Sequence, residues 1–235
     1  MAPSKAIQTI DDSRFRDVKG EWSWAMGLYE KWVLPRFLDR MMDDKMVAEE
    51  RRKCLASVEG TVLEIGFGSG HNLPWYPAAV RKVVAVDPSK GAAKLAQRRI
   101  AEAPFPVEHV ALSGEYIDAP DASYDSAVST FTLCTIPDPL AALLQIRRVL
   151  KPGGRFFFLE HGLSPDPDVL RWQNRLNGFS RTVFGGCNLN RDVSRMVRDG
   201  GFALDDVHQY YIEGQPKFGG CVTRGVARAN LRYIP

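Results

Sequence analysis

Three glycines at alternate positions, Gly66, Gly68 and Gly70, follow the apolar run Val62-Leu63-Glu64-Ile65. Glycine takes positive φ without strain and lets a ligand approach the backbone closely, so this spacing suits a loop that wraps a nucleotide-like group. A dinucleotide loop needs a further glycine at position 71, where His71 stands instead, and Glu64 ahead of the first glycine departs from that pattern too. Asp87 comes 23 residues after Glu64, at the end of a second apolar run and before Pro88-Ser89. A carboxylate at that spacing can accept both hydroxyls of a ribose; an isolated Asp before Pro is otherwise a turn or helix cap. Glu160-His161 closes a third apolar run, where His161 is either a group that takes or orients a proton or a satisfied structural histidine.

The elements that must carry these residues alternate. Strands read over Thr61–Ile65, Lys82–Val86, Val107–Leu112, Ser126–Ser129 and Arg155–Leu159, each ending where a candidate residue sits. Helices read over Lys90–Ala101, capped by Ser89, and over Pro139–Leu150, capped by Asp138. Two prolines leave room for only a short helical piece in His71–Pro77. A helical insert spans Pro165–Phe184, and Asn190 is expected to cap a helix ending at Gly200-Gly201. Strands near Phe202–Tyr211 and Cys221–Arg228 finish the chain. The pattern predicts an α/β fold whose sheet is mostly parallel, with the final pair of strands giving one antiparallel edge and the last strand antiparallel, helices lying on both faces. Ligands of such sheets bind at the carboxyl ends of the strands, which would gather the glycine loop, Asp87, Thr130–Cys134 and Glu160-His161 at one rim.

Ahead of this domain, taken as 58–235, residues 1–57 form a tail and helical extension. Trp22, Met26, Tyr29 and Val33 recur at helical spacing, and Pro35 is expected to open a second helix running to about Ser57. The stripe over 22–42 is open to three readings: a lid, a peripheral membrane contact, or plain packing.

Composition excludes several classes. The chain of 235 residues has 31 basic against 28 acidic residues and no basic block, which argues against a nucleic-acid partner. There is neither an 18-residue apolar run nor a signal-peptide pattern, so a cytoplasmic location is expected. Cys54, Cys134, Cys187 and Cys221 show no metal-type spacing, and no metal is expected.

The order and spacing of Glu64-Ile-Gly-Phe-Gly-Ser-Gly70, Asp87-Pro88, the Asp125 strand and Val149-Leu-Lys-Pro-Gly-Gly154 resemble the class I methyltransferases that use S-adenosylmethionine (SAM), over about 58–230. More narrowly, Leu133-Cys134-Thr-Ile, Phe158-Leu-Glu160-His161 and Gly185-Gly186-Cys187-Asn188-Leu resemble the methyltransferase-like 7 group, which methylates small thiols including hydrogen sulfide. Members from animals begin with a hydrophobic anchor that this chain lacks in the same form.

The resemblance implies a Rossmann-like methyltransferase sheet, with SAM as cofactor and S-adenosylhomocysteine as product. It places Gly66, Phe67, Gly68 and Gly70 around the methionine end, with Glu64 supporting the loop and Asn72 on the same side. Asp87 would hold the ribose, Pro88 and Ser89 flank the adenine, and Gly114 and Glu115 meet its N6 edge. Thr130, Phe131 and Leu133 would line the passage to the methyl group. Cys134, Glu160, His161, Cys187 and Asn188 are the candidates on the side of a small-molecule acceptor, with His161 as catalytic residue. Competing expectations are methylation of a lipid or quinone head group, and a SAM-binding protein without turnover.

Overall fold

The computed structural model describes Tyr29 and residues 33–229. Its centre is a seven-stranded sheet: β1 (Gly60–Ile65), β2 (Val80–Val86), β3 (Val107–Val110), β4 (Tyr124–Thr130), β5 (Leu150–His161), β6 (Phe202–Tyr211) and β7 (Cys221–Ala229). Their spatial order is β3-β2-β1-β4-β5-β7-β6. The first five strands pair in parallel, and β7 runs antiparallel to both β5 and β6.

Both faces of the sheet are covered, which is why its strands are apolar almost without interruption. Alternate residues divide between the faces, as the two-residue period of a strand requires. Leu63, Ile65, Phe156 and Phe158 join one core with Leu143 and Ile146. Val62, Phe157 and Leu159 join the other with Leu55 and Val83.

The helices are α1 (Leu34–Met42), α2 (Lys45–Leu55), α3 (Lys90–Glu102), α4 (Pro139–Val149), α5 (Pro167–Val183), α6 (Val193–Asp199) and the single turn α7 (Lys217–Gly220). Ser89 and Asp138 cap α3 and α4 through their side chains, accepting from the amides of Ala92 and Ala141. A 3-10 turn, Leu73–Trp75, is the short piece expected between the prolines.

Three local expectations are corrected. The single helix expected from Pro35 to Ser57 is two, because the Asp44 carboxylate accepts from the Met46 and Val47 amides and starts α2 afresh. Asp192, not Asn190, caps α6 by accepting from the Arg195 amide, while Asn190 donates to Asn174. β5 begins at Leu150 and takes in the Lys-Pro-Gly-Gly stretch that reads as a stop. The last strand is antiparallel as expected, and the pair β7-β6 closes that side of the sheet with β6 outermost. Of the N-terminal stripe, Trp22 and Met26 lie outside the described residues; the Tyr29 hydroxyl donates to the Val183 carbonyl at the end of α5.

Candidate active site

The glycine loop leaves β1 with φ of +64° at Gly66, +58° at Gly68 and +82° at Gly70. At Gly66 a Cβ would lie 2.0 Å from the Thr132 hydroxyl oxygen, so the loop can pack against the segment after β4 only without a side chain there. At Gly68 an added Cβ would meet nothing nearer than the Gly66 carbonyl at 3.9 Å, which leaves an open cradle above the loop. Asp87, 8% exposed at the end of β2, accepts from the Gly68 amide at 2.8 Å and from the Ser89 amide at 2.7 Å. A carboxylate has about four lone-pair positions, so two remain for hydroxyl donors.

Beneath the loop lies a buried polar network. Glu64 accepts from Asn72 Nδ2 at 2.8 Å and from the Tyr76 hydroxyl at 2.7 Å. Arg51, from α2, donates to Asn72 Oδ1 at 2.8 Å and to Thr130 Oγ1 at 2.6 Å. Burial pushes the Glu64 carboxyl up to about 7, against the pull of Tyr76, Asn72 and Arg51. Burial likewise brings the Arg51 guanidinium down to about 10, although the Glu64 charge opposes this. Arg51 Nε is buried and has no hydrogen-bond partner among the described residues. A leftover cationic donor beside an open glycine cradle and a ribose-type carboxylate fits SAM, whose methionine end carries a carboxylate and whose ribose carries a diol.

Phe131 follows β4 at φ +55°, the left-handed region that a bulky residue enters only at a cost of about 1–3 kcal/mol. The Arg51 guanidinium carbon lies 5.1 Å from its ring centroid, and the His161 ring centroid lies 4.8 Å away. Strain of this kind persists where surroundings fix it, and here Glu160 does so. Fully buried, Glu160 accepts from Ser129 Oγ at 2.6 Å and from the amides of Thr132 and Cys134 at 2.8 and 3.3 Å. The Glu160 carboxylate therefore braces the loop after β4, and both its oxygens face the protein.

His161, half-buried at the end of β5, has Nδ1 3.9 Å from Cys187 Sγ, and the Cys187 and Cys134 sulfurs are 3.7 Å apart. All four cysteines are free thiols. The hydrogen bond with Cys134 favours the thiolate on Cys187, aided by His161 and opposed by burial. That same hydrogen bond, with burial, keeps Cys134 a thiol. Asn188 donates to the Cys134 carbonyl from both its amide (2.8 Å) and Nδ2 (3.0 Å), clamping the two cysteine loops together.

The residues expected from sequence are thus brought to one rim, but in two tiers. Gly68, Phe131 and His161 are partly open; Asp87 is buried, and Leu133, Glu160 and Cys134 are at or near full burial. Leu133 belongs to a core cluster. Pro88 is exposed beside Ser89. Gly114 packs on Ile65 and Ile136, and Glu115 accepts from the Asp138 amide at 2.7 Å, tying its turn to the start of α4.

Arg51, Tyr76 and Asp39 escaped the sequence reading. Arg51 hides in the charged run Glu49–Lys53, yet it shares a helix face with Val47, Cys54 and Leu55, and that spacing is the signal. Asp39 lies 3.0 Å from both His71 Nε2 and Arg99 Nη1, and Arg99 also donates to the Ser69 carbonyl at 3.1 Å, so α1 is fastened to the glycine loop. A recess of about 170 Å³ at the opposite end of the sheet is lined by Glu59, Gly60, Ala79, Arg81 and Asp125. Its two carboxylates are already paired, Asp125 with Arg81 and Lys151 and Glu59 with Arg155.

The methyltransferase domain family matches residues 63–158. Thiol S-methyltransferase TMT1A of Homo sapiens is 30% identical over 199 residues, covering 78% of this chain and 79% of the relative. Phosphatidylethanolamine N-methyltransferase of Cereibacter sphaeroides is 28% identical over 176 residues, covering 73% and 83%. A solved SAM-dependent methyltransferase from Thermotoga maritima superposes with a TM-score of 0.62 at 19% identity, over 87% of this chain and 99% of that one.

Proposed function

The chain belongs to the class I SAM-dependent methyltransferases, and from that premise we propose that its acceptor is a small thiol or hydrogen sulfide. The observation that carries the reading is the 30% identity to a thiol S-methyltransferase over four fifths of that relative's length. The chemistry of the rim supports it, since His161 and two cysteine sulfurs lie together beside Phe131.

SAM, when bound, supplies a methyl group on a sulfonium, open to in-line displacement by an electron pair. The chain's own residues hold, align and exclude. The glycine loop and Asp87 would hold the cofactor, with Glu64 and Asn72 fixing the loop from below. Phe131 walls the passage, kept in its strained position by the Glu160 brace on one side and the Arg51 guanidinium on the other. Alignment and water exclusion supply most of what such a displacement needs. A thiol must also ionise, because the thiolate is the nucleophile. His161 promotes that ionisation at the acceptor sulfur.

A second reading, a lipid head group as acceptor, is favoured by one surface feature. Trp172 and Phe179, seven residues apart on α5, are 55% and 64% exposed, and Phe37 on α1 is 44% exposed. Such a face suits a membrane surface. Purified protein incubated with SAM and separate acceptors tests both: an alkyl thiol, hydrosulfide, a quinol and phosphatidylethanolamine vesicles. Methyl thioether formation with the thiols supports the proposal. Product only with the quinol or the lipid overturns it, and SAM binding without product from any acceptor overturns turnover altogether.

A further inference from the structure

We infer that Cys134, Cys187 and His161 form a three-ligand site for a thiophilic divalent metal, of which zinc is the best match, with its fourth position left for the acceptor sulfur. The site needs no acceptor to exist; its role in catalysis rests on the thiol reading. The three ligand atoms lie within 4.8 Å of one another. Two sulfurs on a tetrahedral zinc, each at about 2.3 Å, stand about 3.8 Å apart, and a sulfur and an imidazole nitrogen about 3.6 Å apart. The observed separations are 3.7 Å between Cys134 Sγ and Cys187 Sγ and 3.9 Å between Cys187 Sγ and His161 Nδ1. Closure around an ion therefore asks for a few tenths of an ångström at the sulfurs and a pivot of the half-buried imidazole toward Cys134.

The backbone around the ligands is already fixed, as metal ligands require of their supporting shell. The Cys134 amide is held by Glu160, and its carbonyl by two donors from Asn188. These bonds lock the two cysteine loops against each other. Among the described residues no fourth His, Cys, Asp or Glu joins the group. Three protein ligands with one position open is the arrangement of catalytic rather than structural zinc. Metal binding would release the Cys134 proton to solvent and leave a water in the fourth position; an incoming thiol would displace that water, form a metal–sulfur bond and release its own proton to solvent, leaving a coordinated thiolate as methyl acceptor. No oxidant or reductant is involved. His161 then promotes ionisation as a ligand through Nδ1 and not as a base.

The test uses the full chain, stripped of metal by a chelator under reducing conditions and titrated with cobalt(II). One equivalent should bind, giving thiolate-to-cobalt charge-transfer absorption and the intense d–d bands of a tetrahedral ion, and zinc should displace it. Cys134→Ser and Cys187→Ser should each lower the charge-transfer band, and His161→Ala should weaken cobalt binding by about tenfold or more. Far-UV circular dichroism checks that each variant is folded. A small alkyl thiol added to the cobalt form should shift the d–d bands, whereas the matching thioalkyl ether should not. Absence of cobalt uptake by the wild-type protein, or a spectrum that the cysteine variants share, overturns the site. Uptake with no response to the thiol overturns its catalytic role. If cobalt binds with the expected spectrum but no thiol is methylated in the acceptor assay, the metal site stands and the thiol reading alone falls.

Discussion

At the scale of single residues, two carboxylates do different work because their surroundings differ. Asp87 keeps lone pairs toward an open cradle while it anchors the Gly68 and Ser89 amides. Asp87→Ala should weaken S-adenosylhomocysteine binding by about 1.5–3 kcal/mol, the range for a hydrogen bond to a charged group. Calorimetric titration checks this, and unchanged affinity would remove Asp87 from the cofactor site. Glu64 is enclosed, and its carboxyl sits at about 7 against an ordinary 4.5. The folded state therefore holds a proton that the unfolded chain gives up earlier. That contribution is complete below about pH 4.5 and is lost as pH rises through about 7; the whole difference is roughly 3 kcal/mol. The apo protein should melt at progressively lower temperature from pH 5 to 7.5, and Glu64→Gln should flatten the slope. Parallel pH–melting curves for the two proteins would show that Glu64 is ionised in the folded state throughout.

At the scale of elements, one tight joint is where β7 passes between β5 and β6. Gly225 faces Phe158, and a Cβ there would lie 2.4 Å from the ring, 2.9 Å from Val207 and 3.0 Å from the Asp206 carbonyl. Three neighbours from two strands cannot all yield, so Gly225→Ala should cost about 1–3 kcal/mol, the usual penalty of overpacking. A melting point unchanged by that substitution would mean that β7 is more loosely seated than its register implies. The alternation of strands and helices was legible in the sequence because buried parallel strands are apolar throughout and because Ser89, Asp138 and the glycines punctuate them. Where two polar candidates compete locally, the sequence is ambiguous. Asp44 and Asp192 win as caps over continuation and over Asn190, since a carboxylate complements the positive end of a helix. The glycine loop and Asp87 were readable from spacing. Arg51 was not, because a charged side chain folded inward leaves the same composition as one facing solvent. Nor could one-dimensional spacing reveal that Cys134 and Cys187, 53 residues apart, meet.

At the scale of the whole molecule, the N-terminal helices hold the cofactor rim together from outside. Asp39 of α1 engages His71 and Arg99, Phe37 stacks on Phe184, and Tyr210 hydrogen-bonds Glu50 of α2. Deleting residues 1–42 should leave the sheet folded by circular dichroism but lower both S-adenosylhomocysteine affinity and turnover, because the Asp39 anchor of the glycine loop goes with it. Intact affinity and turnover, with liposome binding lost, would assign the segment to membrane contact instead. Among the described residues no helix is long and apolar enough to cross a membrane.

The place of β7 in the sheet also bears on how the chain is made. It lies between β5 and β6 yet follows both in sequence, so a ribosome must finish both neighbours before the gap can be filled. Until then the Phe156-Phe157-Phe158 strand presents an unpaired apolar edge, a template for another nascent chain on the same message. A chain stopped just ahead of Cys221 would therefore carry that edge unpaired and be prone to aggregate, and translation that slows over β7 would prolong its exposure and the call on chaperones.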